Sequence, residues 1–263
     1  MPYYVHIAAK GASIHVLITV NRETADYFYR QLQQYTPMKV LGYIPIRTTY
    51  YSPTLWSIDP NHENTISLLT NLVTDIDQGT NEEIPEAAQN YLKGKLFISP
   101  LTSQITFNPT NASDDNASGN INNRCYYIRN RNAPEWWFVP PTEAKVNVST
   151  TNRSKFHVQI CPETREPLVI VGGDVLQLRL IEPGNARRFV ILSFGDHHLM
   201  CPLAGNVTTS FKFHFYELRK GGFIGSTPSS KQGNPVQWTS TDALTQEGPG
   251  EDWMLVASED VPC

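Results

Sequence analysis

The chain has 263 residues, 40% hydrophobic and 17% charged, with a formal net charge of −4. This length supports a real core, in one large domain or two modest ones. The low charge and many Asn, Ser and Thr residues suit strands and turns, and the lack of a basic stripe excludes nucleic acid as an expected partner.

The apolar runs are strand-length, too short to cross a bilayer, so no membrane partner is expected. Met1-Pro2-Tyr3-Tyr4 opens no cationic region followed by an apolar core, so the expectation is a cytoplasmic protein without a secretory signal. Cys125, Cys161, Cys201 and Cys263 are widely spaced, with no C-x-x-C, and read as buried or free thiols. Sequons at Asn111, Asn116, Asn147, Asn152 and Asn206 carry little weight in a chain of this composition.

In chain order, Ile14–Val20 is β-branched and reads as a buried strand. Asn21 is placed to cap a helix over Arg22–Tyr35, in which Ala25, Phe28, Tyr29 and Leu32 share one face. Val40–Ile46 and Arg47–Tyr51 read as extended, with Pro45 at an edge or bend. Ile66, Leu69, Leu72, Val73 and Ile76 define a second helix over Glu63–Asp77, and Pro85–Leu92 a shorter third. Lys95–Ile98 and Gln104–Phe107 are strand candidates. Asn108–Asn123 holds almost nothing apolar and reads as an exposed loop and domain boundary.

After that loop come short β-branched or aromatic runs: Cys125–Ile128, Trp136–Val139, Lys145–Val148, Lys155–Ile160, Leu168–Val171, Val175–Ile181, Arg188–Phe194 and Ser210–Leu218. Turn residues such as Pro140-Pro141, Gly172-Gly173 and Gly221-Gly222 separate them, the pattern of a sandwich or barrel. The expected fold is mainly β: an antiparallel β-sandwich over 124–263, closing near Gly221-Gly222. Residues 1–123 supply the first strand and a helical insertion or subdomain.

Three stretches carry a family resemblance. They are Ile14 to Thr24, then Gly173 to Pro183 with Phe189–Phe194, and Ser210–Leu218 with Gly221-Gly222. Together they resemble the bacterial inclusion-body protein family of the PixA and AidA type, with Asn21 standing where that family has an Asp. The stretch from Glu23 to Asn123 has no counterpart. The resemblance implies a compact β-sandwich that works by self-assembly or ligand binding more than by catalysis. The family's methionine-rich character does not carry over to a chain with 4 Met.

Candidate chemistry is sparse. No G-x-S-x-G, Walker A or G-x-G-x-x-G motif is present, so an enzyme is not the leading expectation and no cofactor is implied by a motif. Asp196, His197 and His198 have the residue types for a divalent metal, with His214 or His157 as a further nitrogen. On a continuous strand, however, the adjacent histidines face opposite ways. Asp75, Asp77 and Glu86 match three positions of a calcium loop, but Thr80 stands where its glycine is required, so an acidic connection is the better reading.

Trp136-Trp137 is more informative. On a strand one indole enters the core and the other is left at the surface. With Tyr127, Asn130 and Asn132 nearby, the outer one makes a candidate sugar-stacking or protein-contact platform, which Arg129 can widen. The functional readings, in order, are a non-enzymatic β-sandwich acting on itself as a homo-oligomer or on a ligand, a lectin-like glycan-binding module, and a metal-dependent enzyme.

Overall fold

The computed structural model describes residues 2–9, 14–35, 47–59, 65–82, 84–100, 119–164, 166–182, 187–203, 210–225, 234–239 and 250–258. The chain is mainly β and divides into two units, Met1–Gly119 and Asn120–Cys263. The expected segments Val40–Ile46 and Gln104–Phe107, most of the Asn108–Asn123 loop, and the sequons at Asn111, Asn116 and Asn206 lie outside the described residues.

The first unit contains β1 (Tyr3–Ala9), β2 (His15–Thr19), α1 (Arg22–Tyr35), β3 (Arg47–Ser52), β4 (Leu55–Asp59), α2 (Thr65–Gln78), α3 (Glu86–Leu92) and β5 (Leu96–Pro100). The strands form one sheet in the order β3-β4-β1-β2-β5, with β1 and β4 parallel and the other pairs antiparallel. Tyr3, Val5 and Ile7 alternate into the core from β1, a strand outside the sequence expectations.

The helix α1 starts where expected. Asn21 Oδ1 accepts the Thr24 N–H at 2.9 Å and the Thr24 hydroxyl at 3.0 Å, satisfying an otherwise orphaned helix donor. Ala25, Phe28, Tyr29 and Leu32 are buried, and Tyr29 meets Tyr50 and Trp56 with both ring centroids at 4.9 Å. The α2 helix runs through Asp75 and Asp77 to Gln78 and stops at Gly79, whose φ of 73° is the left-handed exit that glycine takes freely. The spacing of a calcium loop is therefore taken up by a helix C-terminus, and Asp77 Oδ1 accepts the Gly94 N–H at 2.8 Å.

The second unit contains β6 (Arg124–Asn130), β7 (Trp136–Phe138), β8 (Asn147–Ser149), β9 (Lys155–Cys161), β10 (Val175–Ile181), β11 (Arg187–Phe189), β12 (Ile191–Leu192), β13 (Leu199–Met200), β14 (Lys212–His214), α4 (Phe215–Arg219), β15 (Phe223–Ile224), β16 (Gln237–Trp238) and β17 (Trp253–Ala257). The main antiparallel sheet runs β11-β10-β9-β6-β7-β8, with β14 also on β10 and β17 also on β6. Two-stranded sheets, β12-β13 and β15-β16, add Leu199 and Phe223 to the same core as Tyr126, Ile128, Trp137, Phe156, Val158, Leu176 and Leu178. This is the expected sandwich-like second half.

Three details differ from expectation. Leu168–Val171 is buried but makes only a bridge, Val169 with Ile121, through the Ile170 N–H to the Asn120 carbonyl and the Asn122 N–H to the Leu168 carbonyl, and the pairing stops where the Val171 N–H turns to the Asp174 carboxylate. Ser210–Leu218 is a strand only to His214 and then turns helical. There the Glu217 carboxylate accepts the His214 N–H at 2.5 Å and caps the turn. The sheet does not close near Gly221-Gly222, since β17 comes later and pairs with β6 along its length.

The boundary falls after Gly119 instead of after Asn123, because residues 121–123 are tied into the second unit. Tyr126 donates its hydroxyl to the Ile121 carbonyl at 2.8 Å and accepts the Ile121 N–H at 2.6 Å. Asn122 Oδ1 accepts the Ile160 N–H at 2.8 Å.

One cysteine also differs from expectation. Cys125 is disulfide-bonded, whereas Cys161 and Cys201 are free thiols as expected. Burial pushes the Cys201 thiol up to about 12, so it stays protonated and inert.

Candidate functional site

The site is set by the two-residue period of three neighbouring strands. On β6, Tyr126 and Ile128 point into the core while Tyr127 and Arg129 face outward. Arg129 pairs with Trp136 on β7 and with Met254 on β17, and Tyr127 with Val256, so these side chains share the outer face. Trp137 takes the opposite side. It is 0% exposed and meets Phe156, Phe223 and Trp253 edge-on at 6.2, 5.3 and 5.8 Å. The expectation that the two indoles part company is met, and Trp136 is the half-buried one.

Around Trp136 the arrangement is specific. The Tyr127 ring stands edge-on to it at 6.3 Å. Arg153, from the loop after β8, lays its guanidinium carbon 4.2 Å from the Tyr127 ring centre and 5.3 Å from that of Trp136. Arg129 sits 5.5 Å from the Trp136 ring centre. Cations over aromatic faces are attracted by the ring quadrupole.

Trp136 is paired with Ser149, so the loop Thr150–Arg153 emerges beside the start of β7. It adds the exposed hydroxyl and amide side chains of Thr150, Thr151 and Asn152 to the rim. Arg153 is absent from the sequence reading, because only this pairing brings it to Trp136.

The asparagines behave differently from each other. Asn130 is 4% exposed, and its side chain is used within the β6–β7 turn. Its Nδ2 donates to Glu135 Oε2 at 3.2 Å and its Oδ1 accepts the Asn132 N–H at 2.9 Å. It shapes the turn and offers nothing outward, which corrects its place among the expected ligand contacts. Asn132 is exposed on the same turn.

The metal candidate occupies the turn between β12 and β13. Asp196 accepts the Ser193 hydroxyl and lies 2.7 Å from His198 Nδ1. His197, with φ at 55°, turns away and stacks on Trp238 at 6.3 Å. His214 is engaged elsewhere, its Nδ1 3.2 Å from the Gly173 carbonyl and its ring stacked on Tyr216. Among the described residues no group of three or more His, Cys, Asp or Glu side chains is placed to hold a metal ion, and His197 is turned from the Asp196–His198 pair. The carboxylate instead organises the turn.

No family model and no curated protein matches the chain. No helix among the described residues is long and apolar enough to cross a membrane.

Proposed function

We propose that this chain is a non-enzymatic, ligand-binding β-sandwich protein whose second unit is a lectin-like, saccharide-binding module centred on Trp136. The observation that carries this reading is the division of labour between adjacent tryptophans. Trp137 anchors the core, while Trp136 stays at the surface of a rigid sheet, held by Tyr127. An amphipathic ring on a fixed scaffold is a low-entropy contact for a ligand with alternating apolar and hydroxyl faces. The rim of Thr150, Thr151, Asn152 and Asn132 supplies short hydrogen-bonding groups beside it.

The disulfide at Cys125 supports work in an oxidising setting, where saccharides are displayed, over the cytoplasm expected from the sequence. The test is a glycan array on the full chain, followed by titration calorimetry with the best binder. Wild type is expected to bind and Trp136→Ala to lose about tenfold or more, the value of a stacked ring contact of at least ~1.4 kcal/mol. A wild-type protein silent across the array, or equal binding by Trp136→Ala, defeats the proposal.

A further inference from the structure

We infer that the ligand taken at Trp136 is an acidic saccharide, one carrying carboxylate or sulfate groups, and that Arg129 and Arg153 recognise those groups. This rests on the saccharide reading above and names its ligand class.

The first ground is unbalanced charge in a chain that is net acidic. With 21 basic and 25 acidic side chains, cations are outnumbered, yet neither Arg129 nor Arg153 has a carboxylate partner among the described residues. The neighbouring acids pair with neither of them. Glu135 accepts from Asn130, and Asp252 lies 3.5 Å from Arg131. Arg131 is thus neutralised while the two arginines flanking the rings are left positive.

The second ground is how those two cations are held. A guanidinium over an aromatic face gains attraction through its flat side and keeps its in-plane N–H donors at the edge. Arg153 is positioned by both Tyr127 and Trp136, and Arg129 by Trp136, so much of the cost of ordering two long side chains is met before a ligand arrives. Planar forks in this state match two-oxygen groups, carboxylate or sulfate, with paired charge-assisted hydrogen bonds. The rings then serve two purposes, holding the cations and offering the ring surface they leave free to the sugar.

The experiment compares polymers that differ only in charge. Polygalacturonate is paired with its full methyl ester, and dextran sulfate with dextran, each titrated against the full chain, Trp136→Ala, and the double variant Arg129→Gln/Arg153→Gln. Wild type is expected to prefer at least one charged polymer over its neutral partner by about tenfold or more, with the preference shrinking as salt rises. The double variant is expected to lose that preference while keeping the wild-type melting temperature within a few degrees. A variant with Arg129→Lys/Arg153→Lys keeps the charge without the fork and is expected to fall between.

The carboxylate and sulfate arms identify which acidic group is read. Equal binding to charged and neutral polymers, lost in Trp136→Ala, overturns this inference and leaves the saccharide site standing. Charge preference retained in the double glutamine variant also overturns it. Silence toward all four polymers, together with a silent array, removes both readings.

Discussion

The opposite fates of Trp136 and Trp137 give a quantitative test of the register on which the site depends. Replacing a fully buried Trp by Ala costs about 3–5 kcal/mol through lost transfer free energy and the cavity left behind. Trp137 is 0% exposed and has edge contacts with three other aromatic rings, so about 4–5 kcal/mol is expected for Trp137→Ala. Trp136 keeps part of its surface in solvent and its partners are two long side-chain cations and one edge-on tyrosine, so Trp136→Ala is expected to cost about 1 kcal/mol. Urea unfolding followed by tryptophan fluorescence reports the second unit well, since Trp56 alone of the five tryptophans lies outside it. With a slope of about 2 kcal/mol/M, Trp137→Ala moves the midpoint down by about 2 M and Trp136→Ala by about 0.5 M. Equal shifts, or the reverse order, would refute the assignment, because a one-residue slip of β7 exchanges the faces of both indoles.

Two further outcomes concern the first unit. Asn21→Ala removes the acceptor for the Thr24 N–H and is expected to cost about 1 kcal/mol of stability. A stability unchanged within error in thermal or urea melts would show that the cap is dispensable. Burial pushes up the phenols of Tyr29, Tyr50 and Tyr91, Tyr50 well above its ordinary value of 10.0 with the Asp26 carboxylate adding to the effect. The folded state therefore holds these phenols neutral. Their contribution is whole below pH 10 and declines above it, as the unfolded chain ionises first. Stability measured by urea melts across the alkaline range should fall, and fall less steeply for Tyr50→Phe; identical slopes would contradict the burial-driven shift.

Much of the architecture is legible where one local signal acts alone. The α1 helix has a capping Asn, a stripe of four apolar residues and no competing turn signal, and it folds over Arg22–Tyr35 as read. Strands β9 and β10 are equally plain from their apolar alternation. Failures arise where long-range pairing decides the outcome. Leu168–Val171 has strand composition, but its pairing ends after one bridge because the Val171 N–H goes to the Asp174 carboxylate. Phe211, Phe213 and Phe215 alternate as a strand does, but the capping carboxylate of Glu217 turns the chain into α4 at Phe215. The strand β17 goes unread in the sequence because only its pairing with β6 gives it a role.

The candidate site divides along the same line. Period two alone separates Trp136 from Trp137. Asn130 misleads because an asparagine in a turn tends to serve its own backbone neighbourhood, as it does with Asn132. Arg153 carries no signal at all in one dimension. It becomes visible once β7 and β8 are paired and the following loop is brought against Tyr127.

The hydroxyl of Tyr126 acts as a latch at the start of the second unit, and this has a practical consequence for dissecting the protein. A fragment begun at Arg124, where the polar stretch ends, would remove the two Ile121 hydrogen bonds of a fully buried phenol and the Asn122 acceptor of the Ile160 N–H. Leaving a buried donor such as the Ile160 N–H without its acceptor costs about 1–3 kcal/mol, a large share of the net stability of a single domain. A fragment begun at Asn120 keeps all three. Limited proteolysis should respect the same line: cuts upstream of Asn120 release a folded piece, and a cut only a few residues later releases one that unfolds.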